Sequence, residues 1–255
     1  MLLALDVGNT NTVIALYDGD KLKQHWRMAT DKHKASDEIG LLILQFLTYE
    51  GVSVQNIEDV IISSVVPPIM HSLTNAIRRY IDCEPLVIGP GIKTGMNIRL
   101  DNPKELGADR IVNAVAALHK YGAPLIVVDF GTATTYCVID KDGNYIGGMI
   151  TAGIKISMDA LFERASKLPK IEILRPETVI GRNTVSAMQA GAIFGQVGQV
   201  EGIVRRIKEE LCFEKCTVIA TGGLANTIAP ETEAIDTVDP MLTLDGLKLI
   251  YDRNK

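Results

Sequence analysis

Two short polar segments, 123 positions apart, carry the residue types that a phosphate-binding loop needs. The first is DVGNTNTV, from Asp6 to Val13, and the second is DFGTATT, from Asp129 to Thr135. In each segment an apolar run ends on an aspartate, a glycine follows two positions later, and hydroxyl or amide side chains come next. Glycine frees backbone N–H groups that can surround phosphate oxygens, and Thr and Asn can add hydrogen bonds. Alone, either segment is also typical of a polar turn that is capped by its Asp.

The two segments form an internal repeat. The alignment matches Asp6 with Asp129, Gly8 with Gly131 and Thr12 with Thr135, and leaves Thr10 one position from Thr132. The turns that follow, Asp18-Gly19 and Asp142-Gly143, fall within one residue of the same register. Similarity over a whole strand, loop and strand is far less probable by chance than either copy alone, so we interpret both segments as phosphate loops.

The aspartates of the repeat suggest a cation. A carboxylate repels phosphate, so Asp6 and Asp129 make chemical sense beside a phosphate when a cation separates the two charges. Mg²⁺ is typically bound through one or two carboxylates, water and substrate phosphates, which matches this residue set. An Asx hydrogen bond is the alternative role for each Asp, and the duplication argues against it.

A third candidate is GADR, from Gly107 to Arg110, at the start of a predicted helix. Ile111, Val115 and Leu118 fall on one face of that helix. Asp109 there is either a favourable partner of the helix dipole, paired with Arg110 in solvent, or the base of a kinase. A kinase needs a group that accepts the proton of its acceptor hydroxyl, and a neighbouring Arg can bind an anionic substrate.

Gly222 and Gly223 form a further glycine cluster, directly after a predicted strand that ends at Thr221. Two glycines allow a ring or a ribose to approach the backbone, and a helix that begins near Leu224 would offer its N-terminus. Beside two phosphate loops, we interpret the cluster as a candidate adenosine site.

The elements that must position these residues occur twice. In the first half, three strands (2–5, 12–17 and 21–28) precede a helix with Ser36 as N-cap, a strand over 60–66 and a second helix after Pro67-Pro68. The second half begins the same plan at Pro124. The sequence therefore predicts an α/β protein of two similar halves, 1–121 and 122–255, whose loops face a shared nucleotide cleft.

Composition excludes several classes of partner. A net charge of −5 and a pI near 5.4 argue against a general nucleic-acid or anionic-membrane surface. No basic segment precedes Asp6, which predicts no signal peptide, and the longest uncharged span, 183–200, is too polar to cross a membrane. The four cysteines are too few for a disulfide framework and lack the spacing of a zinc site. These features predict a cytosolic protein.

A stripe of glycines predicts a close helix contact. Gly191, Gly195, Gly198 and Gly202 fall on one face of a predicted helix. Each costs up to about 1 kcal/mol relative to Ala, so packing must offset the loss. The sequence leaves open whether that contact lies within the chain or in a dimer.

LDVGNTNT, GADR, DFGTATT and the TGG near the C-terminus resemble, in order and over nearly the whole chain, the type III pantothenate kinases. This resemblance implies the duplicated actin-like (ribonuclease H-like) fold, with mixed β-sheets flanked by helices. It further implies a cytoplasmic homodimer that uses ATP to phosphorylate pantothenate, the first committed step of coenzyme A synthesis. The implied cofactors are Mg²⁺ and a monovalent cation, K⁺ or NH4⁺.

The resemblance also implies roles for individual residues. Asp109 would accept the proton, Asp129 would bind the monovalent cation, and Asp6 would hold Mg²⁺ through water. ATP would contact Asp6, Val7, Gly8, Asn9, Thr10, Asn11, Thr12, Val13, Thr132, Gly222 and Gly223. Pantothenate would contact Leu100, Gly107, Ala108, Asp109, Arg110 and Thr184. Leu100 departs from the family, in which an aromatic residue is common there, so we expect altered affinity and the same reaction.

Two other functions share this fold. A nucleotide-binding regulatory protein would keep both phosphate loops without needing GADR, and another small-molecule kinase would use a different acceptor. Dependence of ADP release on pantothenate, and on a panel of other hydroxyl acceptors, discriminates among these possibilities.

Overall fold

The computed structural model describes residues 1–255 and divides the chain into two compact units. Unit 1 contains Met1–Gly95, Asn102–Ala116 and Thr243–Lys255, and unit 2 contains Met96–Asp101 and Ala117–Leu242. Each unit has its own five-stranded mixed sheet with flanking helices. No helix is both long enough and apolar enough to span a membrane.

In unit 1 the strand order is β3-β2-β1-β4-β5. The strands are β1 (Leu2–Val7), β2 (Asn11–Asp18), β3 (Lys21–Ala29), β4 (Asp59–Ser64) and β5 (Leu86–Val87). Strand β1 is antiparallel to β2 and parallel to β4. Helices α1 (Ser36–Tyr49) and α2 (Pro67–Tyr80) cover one face, where alternate residues of the central strands, such as Leu3, Leu5 and Ile62, are buried. Successive side chains of a strand point to opposite faces, so every second residue belongs to this helix-covered core, and β1 and β4 are buried on their other face as well.

The cap of α1 corrects one prediction. The N-cap is Ala35 and not Ser36, which is the first helical residue. The Ala35 N–H donates to Glu38 Oε2 at 2.8 Å, so the acidic side chain of the first turn satisfies the entering backbone. The helix therefore starts without a hydroxyl cap.

Helices α3 (Ala108–Tyr121) and α7 (Leu242–Asn254) account for the interleaved boundaries of unit 1. A Cβ at Gly246 of α7 would lie 2.2 Å from the carbonyl oxygen of Val112 in α3, so the two backbones touch. Thr243 Oγ1 also donates to Asn113 Oδ1 at 2.7 Å. The single predicted division between residues 121 and 122 differs from these boundaries, because the last helix packs with residues far back in the sequence.

Unit 2 has the same topology, with strand order β8-β7-β6-β9-β10. Its strands are β6 (Leu125–Phe130), β7 (Ala133–Ile139), β8 (Tyr145–Ala152), β9 (Thr217–Thr221) and β10 (Thr237–Val238), and its helices are α4 (Ile154–Arg164), α5 (Thr184–Glu210) and α6 (Ala225–Ile228). As in unit 1, the first strand is antiparallel to the second and parallel to the fourth. The predicted duplication is confirmed at the level of the fold.

The repeat differs at its loops. Asp6 pairs with Val13, but Asp129 pairs with Thr135, so the second loop is one residue shorter. Thr12 therefore matches Thr134, and the predicted match of Thr12 with Thr135 is wrong by one position. Both Thr12 and Thr134 are buried.

The glycine stripe lies on α5, facing away from the core of unit 2. The opposite face of the helix is buried, including Ile193, Val197 and Val200. A Cβ built on any of the four stripe glycines would meet no atom within 4 Å. The close contact that the stripe predicts is therefore not made within this chain.

Candidate active site

The first loop connects β1 to β2 in unit 1. Its Gly8 N–H donates to the Asn11 carbonyl at 3.0 Å, which closes a short turn. Asn9, Thr10 and Asn11 are exposed, whereas Thr12 is buried. The loop thus presents backbone and polar side chains to solvent from a rigid sheet end, as an anion-binding turn requires.

Thr30, the residue after β3, contacts this loop twice. Its N–H donates to the Thr10 carbonyl at 3.0 Å, and its hydroxyl lies 2.8 Å from the hydroxyl of Thr12. These bonds tie both the exposed part of the loop and its buried end to the third strand. Sequence analysis did not single out Thr30.

Asp6 is the penultimate residue of β1 and is half-buried. Its neighbours across the ladder are Val13 on β2 and Ser63 on β4, the latter fully buried. After β4, the Val65 N–H donates to the Val7 carbonyl at 3.1 Å. The segment that follows β4 is therefore fixed against the base of the first loop.

Asp109 lies in the first turn of α3, next to that same segment. Its Oδ1 accepts a hydrogen bond from the Arg110 N–H at 2.8 Å. A Cβ at Gly107 would lie 2.6 Å from this Oδ1 and 3.5 Å from Val65 Cγ1. Val65 thus bonds the base of the phosphate loop and lies near the turn that carries Asp109, so these two predicted site elements are close together within unit 1.

Burial sets the protonation behaviour of Asp109. It raises the pKa of the Asp109 carboxyl above its ordinary value, and the Arg110 N–H hydrogen bond and the Arg110 charge only partly oppose that rise. A carboxylate with a raised pKa is a stronger base than a solvated one. This is the direction that proton acceptance requires.

The second loop, Gly131-Thr132, connects β6 to β7 in unit 2, and both residues are exposed. Gly131 N–H donates to the Ala133 carbonyl at 3.2 Å. Gly153, the residue after β8, donates its N–H to the Thr132 carbonyl at 3.1 Å. A Cβ at Gly153 would lie 2.3 Å from that same carbonyl oxygen, so only glycine fits there without moving the loop.

Gly222 lies against Asp129. The two carboxyl-terminal strand ends are adjacent, because Asp129 pairs with Thr221 on β9. A Cβ at Gly222 would be 2.4 Å from Asp129 Oδ1 and 2.7 Å from the Phe130 nitrogen, and the φ of +90° also favours glycine. The structure therefore joins the predicted adenosine glycines to the second phosphate loop.

One expectation about this region needs correction. Helix α6 spans only four residues, from Ala225 to Ile228, with Leu224 as N-cap. A single turn provides few aligned peptide dipoles, so the helix near Leu224 offers no useful N-terminal field. The exposed backbone of Gly222 and Gly223 is what remains available to a ligand.

Leu100 and Thr184 belong to unit 2, whereas Gly107–Arg110 belong to unit 1. Residues near Leu100 run along β8, where the Arg99 N–H donates to the Tyr145 carbonyl at 2.8 Å. Thr184 is the exposed first residue of α5, after the N-cap Asn183, whose Oδ1 accepts from the Ser186 N–H at 2.9 Å. Asn183 fixes the helix start that presents Thr184.

The donor set fits a cation that a ligand helps to hold. No group of three or more His, Cys, Asp or Glu side chains is placed to form a metal site of its own. Asp6 and Asp129 each provide one carboxylate at a strand end, beside exposed loop backbone. Mg²⁺ held by phosphates and water needs only such a carboxylate. Asp129 Oδ1 lies against the backbone of Gly222, where a Cβ would come within 2.4 Å of it.

Comparison with known proteins adds evidence of a different kind. The family model of type III pantothenate kinases matches residues 2–206. The chain is 60% identical, over 254 residues, to a type III pantothenate kinase of Bacillus cytotoxicus, and the match covers 100% of this chain and 97% of that one.

Solved structures resemble the fold at low sequence identity. A Campylobacter jejuni protein described as a Baf family transcriptional activator has a TM-score of 0.58 at 19% identity, over 99% of this chain and 98% of that one. A Sinorhizobium meliloti protein described as a 2-dehydro-3-deoxygalactonokinase has a TM-score of 0.63 at 12% identity, over 99% and 96%. At these identities the likeness shows the actin-like fold alone.

Proposed function

The chain belongs to the type III pantothenate kinase family, and from that premise we propose that Asp109 is its catalytic base. The family reaction is ATP plus pantothenate to ADP plus 4′-phosphopantothenate, in coenzyme A biosynthesis. The observation that carries the proposal is the Asp109 carboxyl itself, whose pKa is raised by burial and which Val65 links to the first phosphate loop.

The mechanism needs little covalent work from the protein. As the acceptor hydroxyl of pantothenate attacks the γ-phosphorus, its proton passes to an oxygen of Asp109, the new P–O bond forms, and the bond to ADP breaks. Phosphoryl transfer depends mainly on positioning and on electrostatic stabilisation of the transferred group. The 2.8 Å bond from the Arg110 N–H holds Oδ1, so it favours acceptance by the other carboxylate oxygen.

ATP is proposed to contact Asp6–Val13 of the first loop and Thr132 of the second. Gly222 and Gly223 are proposed to lie against its adenosine. The support is the exposure of Asn9–Asn11, Thr132, Gly222 and Gly223 and the repeated loop geometry. If a nucleotide analogue leaves the amide signals of these residues unchanged in solution, the assignment fails.

Two cations are proposed. Asp6 would hold Mg²⁺ through water, and Asp129 would ligate a monovalent cation, K⁺ or NH4⁺. Bound cations would neutralise phosphate charge near the transferred group. The support is one carboxylate at the same strand position in each unit. If Asp129→Ala keeps the full activation by K⁺ that the wild type shows, this role for Asp129 is excluded.

Pantothenate is proposed to contact Leu100, Gly107–Arg110 and Thr184. Arg110 would attract the pantothenate carboxylate, because a guanidinium binds carboxylates bidentately. Leu100 has no hydroxyl and no aromatic ring, so Leu100→Tyr should lower the KM for pantothenate with little change in kcat. An unchanged KM would remove Leu100 from the site.

A cytoplasmic homodimer is proposed, formed on the glycine-striped face of α5. All four cysteines are free thiols, as in proteins of a reducing compartment. The stripe offers a flat face on which a second helix can approach closely. Gly195→Arg should shift the mass measured by light scattering from dimer to monomer, and a dimer that persists would place the interface elsewhere.

Asp109→Asn tests the proposed base directly. We expect kcat to fall by about 10²- to 10⁴-fold, the usual contribution of a general base, with binding of a non-hydrolysable ATP analogue unchanged. The matched control is Asp142→Asn, at an exposed turn in unit 2, which should keep full activity. A near-normal kcat in Asp109→Asn would show that Asp109 is not the base.

The same assay addresses the regulatory alternative. A nucleotide switch would release ADP at a rate that does not depend on pantothenate. The likeness to the Campylobacter protein concerns the fold alone, so it gives that alternative no separate support.

A further inference from the structure

The residue after the third strand has the same position in both units. Thr30 follows β3 and Gly153 follows β8, and they are separated by the same 123 positions that relate Asp6 to Asp129. Each donates its backbone N–H to a carbonyl of its own phosphate loop, at 3.0 Å to Thr10 and 3.1 Å to Thr132. The repeat therefore extends beyond the loops to what holds them.

We propose that Thr30 and Gly153 are positioning residues, each of which holds one ATP phosphate loop in its binding shape from behind. This inference rests on the proposed assignment of the two loops to ATP. Neither residue is part of that assignment, because each lies after the third strand of its unit and outside the loop itself.

Peptide geometry explains how a hydrogen bond to a loop carbonyl affects the direction of the neighbouring loop N–H. The only cis peptide bond precedes Pro124, so the loop peptides are trans, and the C=O and N–H of one peptide unit point in opposite directions. When Thr30 holds the Thr10 carbonyl, the Asn11 N–H of that peptide points toward β1, into the space that the loop encloses. If the peptide rotated, a carbonyl oxygen would face the phosphate and repel it.

The side chains of the two positions differ for a physical reason. Thr30 has room for a side chain, and its hydroxyl bonds the hydroxyl of Thr12, which is only 1% exposed. In unit 2 the loop is one residue shorter and passes so close that a Cβ at Gly153 would lie 2.3 Å from the Thr132 oxygen and 2.6 Å from the Gly131 oxygen. Both of those atoms belong to the backbone, so the loop itself would have to move.

The first experiment removes the Thr30 hydroxyl and keeps its N–H. Thr30→Val should weaken binding of a non-hydrolysable Mg–ATP analogue, titrated without pantothenate, by about fivefold, the effect of one net hydrogen bond. The KM for pantothenate should stay within about twofold of the wild type, a change too small to indicate a lost hydrogen bond. Thr30→Ser should restore analogue binding, and the double variant with Thr12→Val should be no weaker than Thr12→Val alone, because the two hydroxyls share one bond.

The matched control for this change is Thr74→Val. Thr74 is half-buried on α2 and donates its hydroxyl to the Met70 carbonyl at 2.8 Å, so it loses a similar bond far from either loop in sequence. Tm should fall by a similar amount in Thr74→Val and in Thr30→Val. Analogue binding should be unchanged in Thr74→Val. If Thr30→Val behaves in the same way, the role of Thr30 is structural only and the proposal is overturned.

The second experiment perturbs Gly153. Gly153→Ala should weaken analogue binding at least about tenfold, because displacement of a loop by about 1 Å misplaces several donors at once. Gly89→Ala, at an exposed position with no atom within 4 Å of the new Cβ, is the control and should bind normally. Unchanged analogue binding by Gly153→Ala would refute the proposed positioning role of Gly153 in unit 2. If that variant does not fold, the Thr30 variants still decide the question.

Hydrogen exchange localises the effect. Thr30→Val should accelerate amide exchange in residues 8–12 and leave residues 131–135 unchanged. If the wild-type protein does not bind the analogue, the proposed assignment of the two loops to ATP is refuted. Equal analogue binding by the wild type and by Thr30→Val would refute only the positioning role of Thr30.

Discussion

Substitution of Gly107 tests how strictly the first turn of α3 positions the base. A Cβ at Gly107 would lie 2.6 Å from Asp109 Oδ1, whereas ordinary contacts begin at 3.4 Å. The carboxylate would therefore have to move by nearly 1 Å. It would weaken or lose its 2.8 Å hydrogen bond from the Arg110 N–H as it moved.

The expected cost follows from that distance. A misplacement of about 1 Å costs about 10²-fold in rate, which is about 2.7 kcal/mol of transition-state stabilisation. We expect kcat of Gly107→Ala, measured at saturating ATP and pantothenate, to fall by about that factor. It should remain above the kcat of Asp109→Asn, because the base is displaced and not removed.

The pH profile separates displacement from misfolding. Burial raises the pKa of Asp109, so a carboxyl that is pushed toward solvent should have a lower pKa. The acid limb of kcat/KM in Gly107→Ala should then move to lower pH, which a general loss of stability would not produce. A kcat within twofold of the wild type, with the acid limb unmoved, would refute the proposed positioning of Asp109 by Gly107.

Three further outcomes follow from the same structure. In the wild type, activity should fall as pH falls through the raised pKa of Asp109, so the acid limb should lie above the ordinary Asp value of about 3.9, and a limb at or below that value would contradict the burial effect. Asp109→Asn should unfold at an equal or higher Tm near pH 7, because a pKa raised by folding means that the folded state disfavours the carboxylate, and a clear drop in Tm would show a structural role. Gly246→Ala should lower stability by about 1–3 kcal/mol, because its Cβ would meet the Val112 carbonyl oxygen at 2.2 Å and backbone must shift, and an unchanged thermal melt would show that α7 can move away.

The repeat was predictable because the same residue types recur in both copies at nearly the same spacing. Asp6 and Asp129 each follow an apolar run and lie one residue before the end of their strand, and a glycine two positions later marks each turn. Periodicity and turn chemistry therefore predict the strands and both loops. The loop lengths were not predictable in the same way. A one-residue deletion after Gly131 leaves the pattern of threonines almost unchanged, and only the strand register shows that Thr12 corresponds to Thr134.

Long-range packing explains what else the sequence did not reveal. Val65 belongs to an apolar run that is typical of any buried strand end, and its contact with Gly107 joins residues more than 40 positions apart. The position of Thr30 was predictable from the internal repeat, because Thr30 lies 123 positions before Gly153. The packing of α7 on α3 depends on Gly246, which local helix patterns do not distinguish from a weak helix position.

The two copies of the repeat have diverged in chemistry while keeping one backbone plan. Each has an aspartate one residue before the end of its first strand and anchors its loop to the residue after its third strand. In unit 1 the fourth strand leads to Val65, which lies near the turn that carries Asp109, the proposed base, whose pKa is raised by burial. In unit 2 the fourth strand leads instead to Gly222, and a Cβ there would lie 2.4 Å from an oxygen of Asp129, the proposed cation ligand. If proton acceptance and cation binding were separated in this way, a substitution after one of the two fourth strands should affect only one of these properties. A side chain at Gly222 should remove the response to K⁺ and leave the acid limb of Asp109 in place.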